Sequence, residues 1–406
     1  MALLFVLIFM AVRLFNIFLK ILNLVYSTGQ NAKVPDFLTS EIDETEFQQF
    51  KRYNKEKTLL SIYSDFFDTV ITLSFLFLIY KKLEEIVSIT ENPIYNGILF
   101  FAAIAIIDFI ISLPFSLYDN FSIEKRYGFN TMTPGLYIRD LLKSVALLVI
   151  IAGPLLAGSL WILYNISNWW IPLSIGILAV QLLAGWIVPT FIMPLFNKFT
   201  PLENDTLRER LETIAKKAGF KAKKIYVMDA SKRSKHSNAF FTGIGKSKKI
   251  VLFDTLLDRC NEEEIEAVFA HEAGHYVNKD AIKNIVMSSM FLVAITYLLW
   301  LFMCSQLVQD YFGVHEKYTV LLYGMIFIGA LFSLGRGFLN AYSRKVEFRA
   351  DRYAAEVTGK PENLVSALKK IYKSNMSNLN PHPLYAFFNY SHPTLDERIR
   401  ELLKFK

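Results

Sequence analysis

Apolar residues run long enough to cross a bilayer in seven places: residues 2–26, 60–80, 98–118, 141–164, 169–196, 284–304 and 319–340. A spanning helix needs roughly 20 mostly apolar residues. A soluble core accounts for one or two such runs, not for seven, so the pattern predicts a multi-pass membrane protein. The first run lacks a basic start and a small-residue cleavage site, and reads as a retained span rather than a signal peptide. Its polar residues, Arg13, Asn16, Lys20 and Asn23, form one helical stripe. That stripe predicts a polar face turned inward; a helix lying on the membrane surface is the other reading.

The polar stretches carry a different periodicity. "NDTLRERLETIAKKAGF" predicts a helix capped by Asn204 and stopped by Gly219. "KKIYVMD", "SNAFFTG" and "KKIVLFD" predict short strands. "NEEEIEAVFAHEAGHYV" predicts a helix with Asn261 as cap and three glutamates in its first turn. "SRKVEFRADRYAAEVTGK" predicts another that ends near Gly359. The chain therefore divides into five spans over 1–196, a polar insertion over 197–283, a helical pair over 284–340 and a second polar region over 341–406.

Composition sharpens this without changing it. Hydrophobic residues make up 53% of the chain and aromatics 15%, too apolar for an ordinary soluble protein. The net charge of +7 does not argue for nucleic acid, because basic loops beside spans explain it. The loops 27–59 and 119–140 hold eight Lys and Arg, against three in 81–97, 165–168 and 305–318. The positive-inside rule puts the first set in the cytosol. Both large polar regions and the C-terminus then share the cytosolic side, and the N-terminus faces away. Two cysteines, Cys260 and Cys304, give neither a disulfide framework nor a Cys-rich metal site.

The candidate chemistry sits in "HEAGH". His271 and His275 lie one helical turn apart on one face, where they can share a metal ion, with Glu272 beside them as a base. Catalytic zinc wants a third protein ligand and an open position for water. Glu347 in "EFRAD" is the candidate, with Asp351 one turn on to accept the free N–H of a liganding imidazole. Spacing alone equally allows two surface acids near Arg344, Arg349 and Arg352. His392 in "YSHPTLDERI" is either a transition-state donor or a residue at the start of a helix. "KHSNAFFTG" is either a strand whose free edge pairs with substrate, aligned by Asn238, or a plain hairpin.

Taken together, "HEAGH", "SRKVEFRADRYA", "HSNAFFTG" and "YSHPTLDERI" resemble the integral-membrane zinc metalloproteases of the type I CAAX prenyl protease family. "FKRYNKEKTLLSIYSDFFDT", "EKRYGFNTMTPGLYIRDLLK" and "PTFIMPLFNKFTPLEN" extend the resemblance over about residues 48–402. It implies an all-α membrane protein: seven transmembrane helices around a large water-filled chamber, with a cytosolic-side α+β zincin-like protease region. It also implies one catalytic zinc ion held by His271, His275 and Glu347, with Asp351 as supporting acid. Glu272 and His392 become catalytic, and Asn238, Ala239 and Arg398, a basic residue close to His392, bind substrate. The partners are a peptide or protein substrate, prenylated or not, and the lipid bilayer. The short "SQLVQDYFGVHEKY" between the last spans departs from longer eukaryotic members and suggests a compact or prokaryotic one. The membrane is the cell inner membrane in that case, and the endoplasmic reticulum in a eukaryote. Two rivals remain: a quality-control protease of the HtpX type, with fewer spans, and a transporter or receptor with a closed structural metal site.

Overall fold

A computed structural model describes residues 2–30, 32–220, 224–242, 249–305 and 307–405. Seven of its helices are long and apolar enough to cross a membrane: Leu3–Thr28, Glu44–Val87, Pro93–Glu124, Pro134–Asn165, Trp170–Phe196, Asp280–Cys304 and Lys317–Leu334. The second runs for 44 residues, well beyond the roughly 20 that a bilayer requires. Its charged start was expected as a loop. It is helical because Asp43 caps it and because Phe47, Phe50 and Tyr53, three residues apart, bury one face. The seventh span stops at Leu334, short of the expected residue 340, because the chain breaks at Gly335 and begins a new helix.

The polar stripe of the first span meets the second. Arg13 pairs with Asp68 at 2.8 Å, and Lys20 donates to Ser61 at 2.6 Å and pairs with Asp65. Asn23 accepts the backbone N–H of His382 at 3.0 Å. The spans close together around Phe100, Leu160, Tyr318 and Tyr323, all almost fully buried. Elsewhere they part around a cavity of about 1440 Å³ with mostly apolar walls, which reaches Ser343 and Ser391.

The polar regions build one further unit. In chain order it contains β1 (Phe199–Pro201), α1 (Asp205–Lys217), β2 (Lys224–Met228), β3 (Ala239–Thr242), β4 (Lys249–Phe253) and α2 (Glu262–Val277). After the last span come α3 (Arg336–Thr358), α4 (Pro361–Ser374), α5 (Pro383–Asn389) and α6 (Leu395–Leu402). Lys223, Gly243 and Lys248, at the margins of the expected strands, lie outside the described residues, as does Gln306. The sheet order is β1-β2-β4-β3, with β2 and β4 parallel and the outer pairs antiparallel. β3 is therefore an edge strand. The two polar regions share one core, in which Leu211, Ile250, Leu252 and Phe269 pack with Ala354, Leu364 and Ile399.

α2 and α3 meet backbone to backbone at Gly274. A Cβ on Gly274 would lie 2.9 Å from Ala350 Cα and 3.0 Å from its carbonyl oxygen. Backbone atoms cannot swing aside as a side-chain tip can, so the two helices touch here only because residue 274 has no side chain. Gly274→Ala is expected to lower stability by about 1–3 kcal/mol. Thermal unfolding in detergent measures this, and an unchanged melting temperature would show that α2 and α3 separate without penalty.

Candidate metal centre

α2 is fixed at its start by a reciprocal cap. Glu264 N–H donates to Asn261 Oδ1 at 2.9 Å, and Asn261 N–H donates to Glu264 Oε2 at 2.8 Å. The buried Glu264 also accepts from Ser366 and Lys370 of α4, at 2.6 and 2.8 Å. With α2 held at its cap and at Gly274, its histidine face meets α3.

There the donors converge on one carboxylate. Glu347 Oε2 lies 3.4 Å from His271 Nε2, and Glu347 Oε1 lies 3.5 Å from His275 Nε2. His392 Nε2 is 3.4 Å from the same Oε1. Glu347 is 5% exposed, and its Oε2 has no hydrogen-bond partner among the described residues. An orphaned carboxylate oxygen facing imidazole nitrogens is what a cation would satisfy. One ligand atom each from His271, His275 and Glu347 fits within 4.8 Å of the others.

The other imidazole nitrogens are also engaged. His271 Nδ1 lies 2.7 Å from Asp351 Oδ1, which fixes the ring and leaves Nε2 toward Glu347. Asp351 is in turn gripped by Arg398, whose Nη2 and Nε donate to its two oxygens at 2.6 and 2.9 Å. Arg398, expected close to the substrate, is thus buried behind His271 with its guanidinium committed to Asp351. Ala239 opens β3 and Asn238 directly precedes it, outside this cluster, with Ala239 N–H donating to Asn238 Oδ1 at 2.8 Å.

These contacts set the charges. Burial works against a charged His271, yet Asp351 and Glu347 raise it to about 9. Burial likewise favours a neutral Glu347, but the facing His271, with His392 and Arg398, holds it at about 2. Asp351 sits far below the ordinary carboxylate range despite its burial, because Arg398 and His271 face it. Glu272 moves the other way: desolvation raises it, against the pull of His271 and His275.

Two features of the cluster were missed in the sequence. Asp280 Oδ2 lies 3.1 Å from His275 Nδ1, and its Oδ1 accepts from Arg349 at 3.2 Å. Each histidine therefore has its own acid, one on α3 and one at the start of the sixth span. Lys279 makes this possible by adopting a left-handed φ of 55°, which turns the chain back toward His275. The available signal was an acid five residues after the second histidine, next to the helix end. The second feature is a brace for His392. Arg344 donates to Tyr390 C=O at 2.7 Å and Asn340 to Phe388 C=O at 2.8 Å, so α3 carries the His392 loop as well as Glu347.

Comparison with known proteins places this geometry. Residues 24–198 match the family model for the CAAX prenyl protease N-terminal region with five membrane helices, and residues 201–406 match peptidase family M48. CAAX prenyl protease 1 of Saccharomyces cerevisiae is 33% identical, the match covering 93% of this chain and 90% of that protein. The Homo sapiens homologue is 30% identical over 94% and 90%. The crystal structure of S. mikatae Ste24p superimposes with a TM-score of 0.91 at 32% identity, covering 98% of each chain.

The acid behind each imidazole predicts how the site takes up metal. Asp280→Ala is expected to weaken metal binding about 10–100-fold while the chain stays folded. Competition against a graded chelator measures it; unaltered affinity would mean that His275 is oriented without Asp280. His271 in the metal-free chain carries a proton below about 9, and a bound metal must displace it. Affinity should therefore rise with pH up to that point, by at most about tenfold per unit. Metal titrations over that range check the sign, and a flat profile would show that His271 is already neutral.

Proposed function

The chain belongs to peptidase family M48 and carries the N-terminal region of the CAAX prenyl proteases, and from that premise we propose that its metal is zinc and its substrate a CAAX-type chain cut near its C-terminus. It is a membrane-embedded metalloprotease, a hydrolase of peptide bonds. The observation that carries the finer reading is the meeting of His271, His275 and Glu347 donor atoms within 4.8 Å, beside Glu272. Two imidazoles and one carboxylate suit catalytic zinc better than a closed structural site.

When bound there, the metal polarises water and the scissile carbonyl. Glu272 takes the proton of the attacking water and hands it to the leaving nitrogen. His392 donates to the carbonyl oxygen as negative charge builds on it. Asp351 and Asp280 hold the Nδ1–H groups of His271 and His275, keeping both Nε2 atoms for the metal. Arg398 keeps Asp351 ionised and in place rather than binding substrate. The substrate lies extended along the open edge of β3, where Asn238 and Ala239 align it.

The apolar cavity of about 1440 Å³ beside Ser391 suits a prenyl or other hydrocarbon tail. The Lys and Arg balance of the loops favours the protease unit facing the cytosol, with the N-terminus opposite. An HtpX-type quality-control role is less well supported, since seven long apolar helices and the five-helix match fit the CAAX type.

Glu272→Gln is expected to lower cleavage of a farnesylated CAAX peptide by about 10²–10⁴-fold. Elemental analysis should find one zinc per chain in both forms. Full turnover by the variant would sink the mechanism, and equal rates on the unprenylated peptide would sink the substrate assignment.

A further inference from the structure

Only part of the β3 edge is open. Phe253 N–H donates to Asn238 C=O at 3.2 Å, which makes Asn238 and Phe253 a hydrogen-bonded pair. With Ala239 opposite Leu252, the alternation of an antiparallel ladder turns Ala239 N–H and C=O away from β4; the N–H is held by the Asn238 side chain at 2.8 Å, and the C=O faces the free side. The same alternation turns the N–H and C=O of Ser237 to that side. Those of Ser237 are already taken. Ser237 N–H donates to Asn375 Oδ1 at 3.1 Å, and Asn375 Nδ2 donates to Ser237 C=O at 3.4 Å. One side-chain amide thus copies the pairing of a strand residue, in the place that the next residue of an added strand would need.

Asn375 is firmly held. Its own N–H donates to Ile371 C=O at 3.0 Å, closing α4. Met376 follows with a left-handed φ of 46°, so the chain turns away at once. Asn54 of the second span then holds Met376 C=O at 2.8 Å. Tyr372, in the last turn of α4, donates its O–H to Pro393 C=O at 3.4 Å. The end of α4 therefore reaches from the β3 edge to the loop that carries His392.

We propose that Asn375 is a stop for the bound substrate chain and makes the enzyme selective for peptide bonds close to a C-terminus. The inference rests on the reading that substrate pairs with β3. An added strand pairs somewhat more stably antiparallel than parallel. In that direction the residues that come up against Ser237 lie C-terminal to those that pair with Ala239. A chain that continues past this point must displace the Asn375 amide or leave the edge. A chain that ends there meets no obstacle.

Fluorogenic peptides that share one scissile sequence and are lengthened stepwise at either end test this with the full detergent-solubilised chain. Displacing two hydrogen bonds is expected to lower kcat/KM about tenfold as the C-terminal tail grows, chiefly through KM, with little effect of the same residues added at the N-terminus. In Asn375→Ala and Asn375→Gly the ratio of long-tail to short-tail kcat/KM should rise by a similar factor. Indifference of the unaltered chain to C-terminal length overturns the proposal. So does a penalty that falls on N-terminal extension, or one that survives in both variants with unchanged melting temperature. Backbone N-methylation of the peptide separates the premise from the stop. If no methylated position raises KM, substrate does not pair with β3 and the underlying reading fails. If methylation raises KM while tail length has no effect, the stop alone is wrong.

Discussion

The bare contact of Gly274 against the backbone of Ala350 is the constraint on which the site depends. It lets α2 and α3 approach until imidazoles on one helix reach a carboxylate on the other. Glu347 lies three residues before Ala350 and Asp351 one after it, while His271 lies three residues before Gly274 and His275 one after it. The helix periodicity then sets these groups around the contact on facing surfaces. A wider separation would leave buried carboxylates facing empty space, an arrangement that costs several kcal/mol per group. The charges hold together for the same reason: Arg398, Asp351, His271 and Glu347 alternate in sign, and each is poorly exposed.

The membrane spans contribute to this unit directly. Asp280 opens the sixth span and faces His275, and the seventh ends where α3 begins. The long second span carries Phe47 and Phe50 into the polar core and Asn54 to the loop after α4. A part-buried contact also ties the third span to the approach to β3, where His236 Nε2 lies 3.1 Å from Glu124 and its ring stacks on Phe129 at 4.2 Å. Site and bundle are therefore one construction, and an isolated protease unit would lose partners on several sides.

Legibility in the sequence followed the range of the forces involved. Apolar runs show spans because bilayer thickness is a local length requirement, and all seven were found, with shifted ends. Asn204, Asn261 and Gly359 were readable as helix signals because capping involves only nearby residues. The charged start of the second span was misread because its helix is stabilised by burying Phe47 and Phe50 in a core built by distant segments. β1, at residues 199–201, was missed because three residues carry no periodicity, and only pairing with β2 makes them a strand.

The sequence by itself determined the kinds of chemistry available: two imidazoles and a carboxylate on one helical turn, an acid pair one turn apart, and apolar runs long enough for lipid. Those follow from side-chain identity and helix pitch, which are local. The tertiary structure decided which groups meet. It chose Glu347 over other acids, gave His275 the unexpected Asp280, drew Arg398 inward to Asp351, and laid Asn375 across the edge of β3. These pairings join residues up to 138 positions apart in the chain, and they exist only once close packing has fixed the distances between helices that no local pattern encodes.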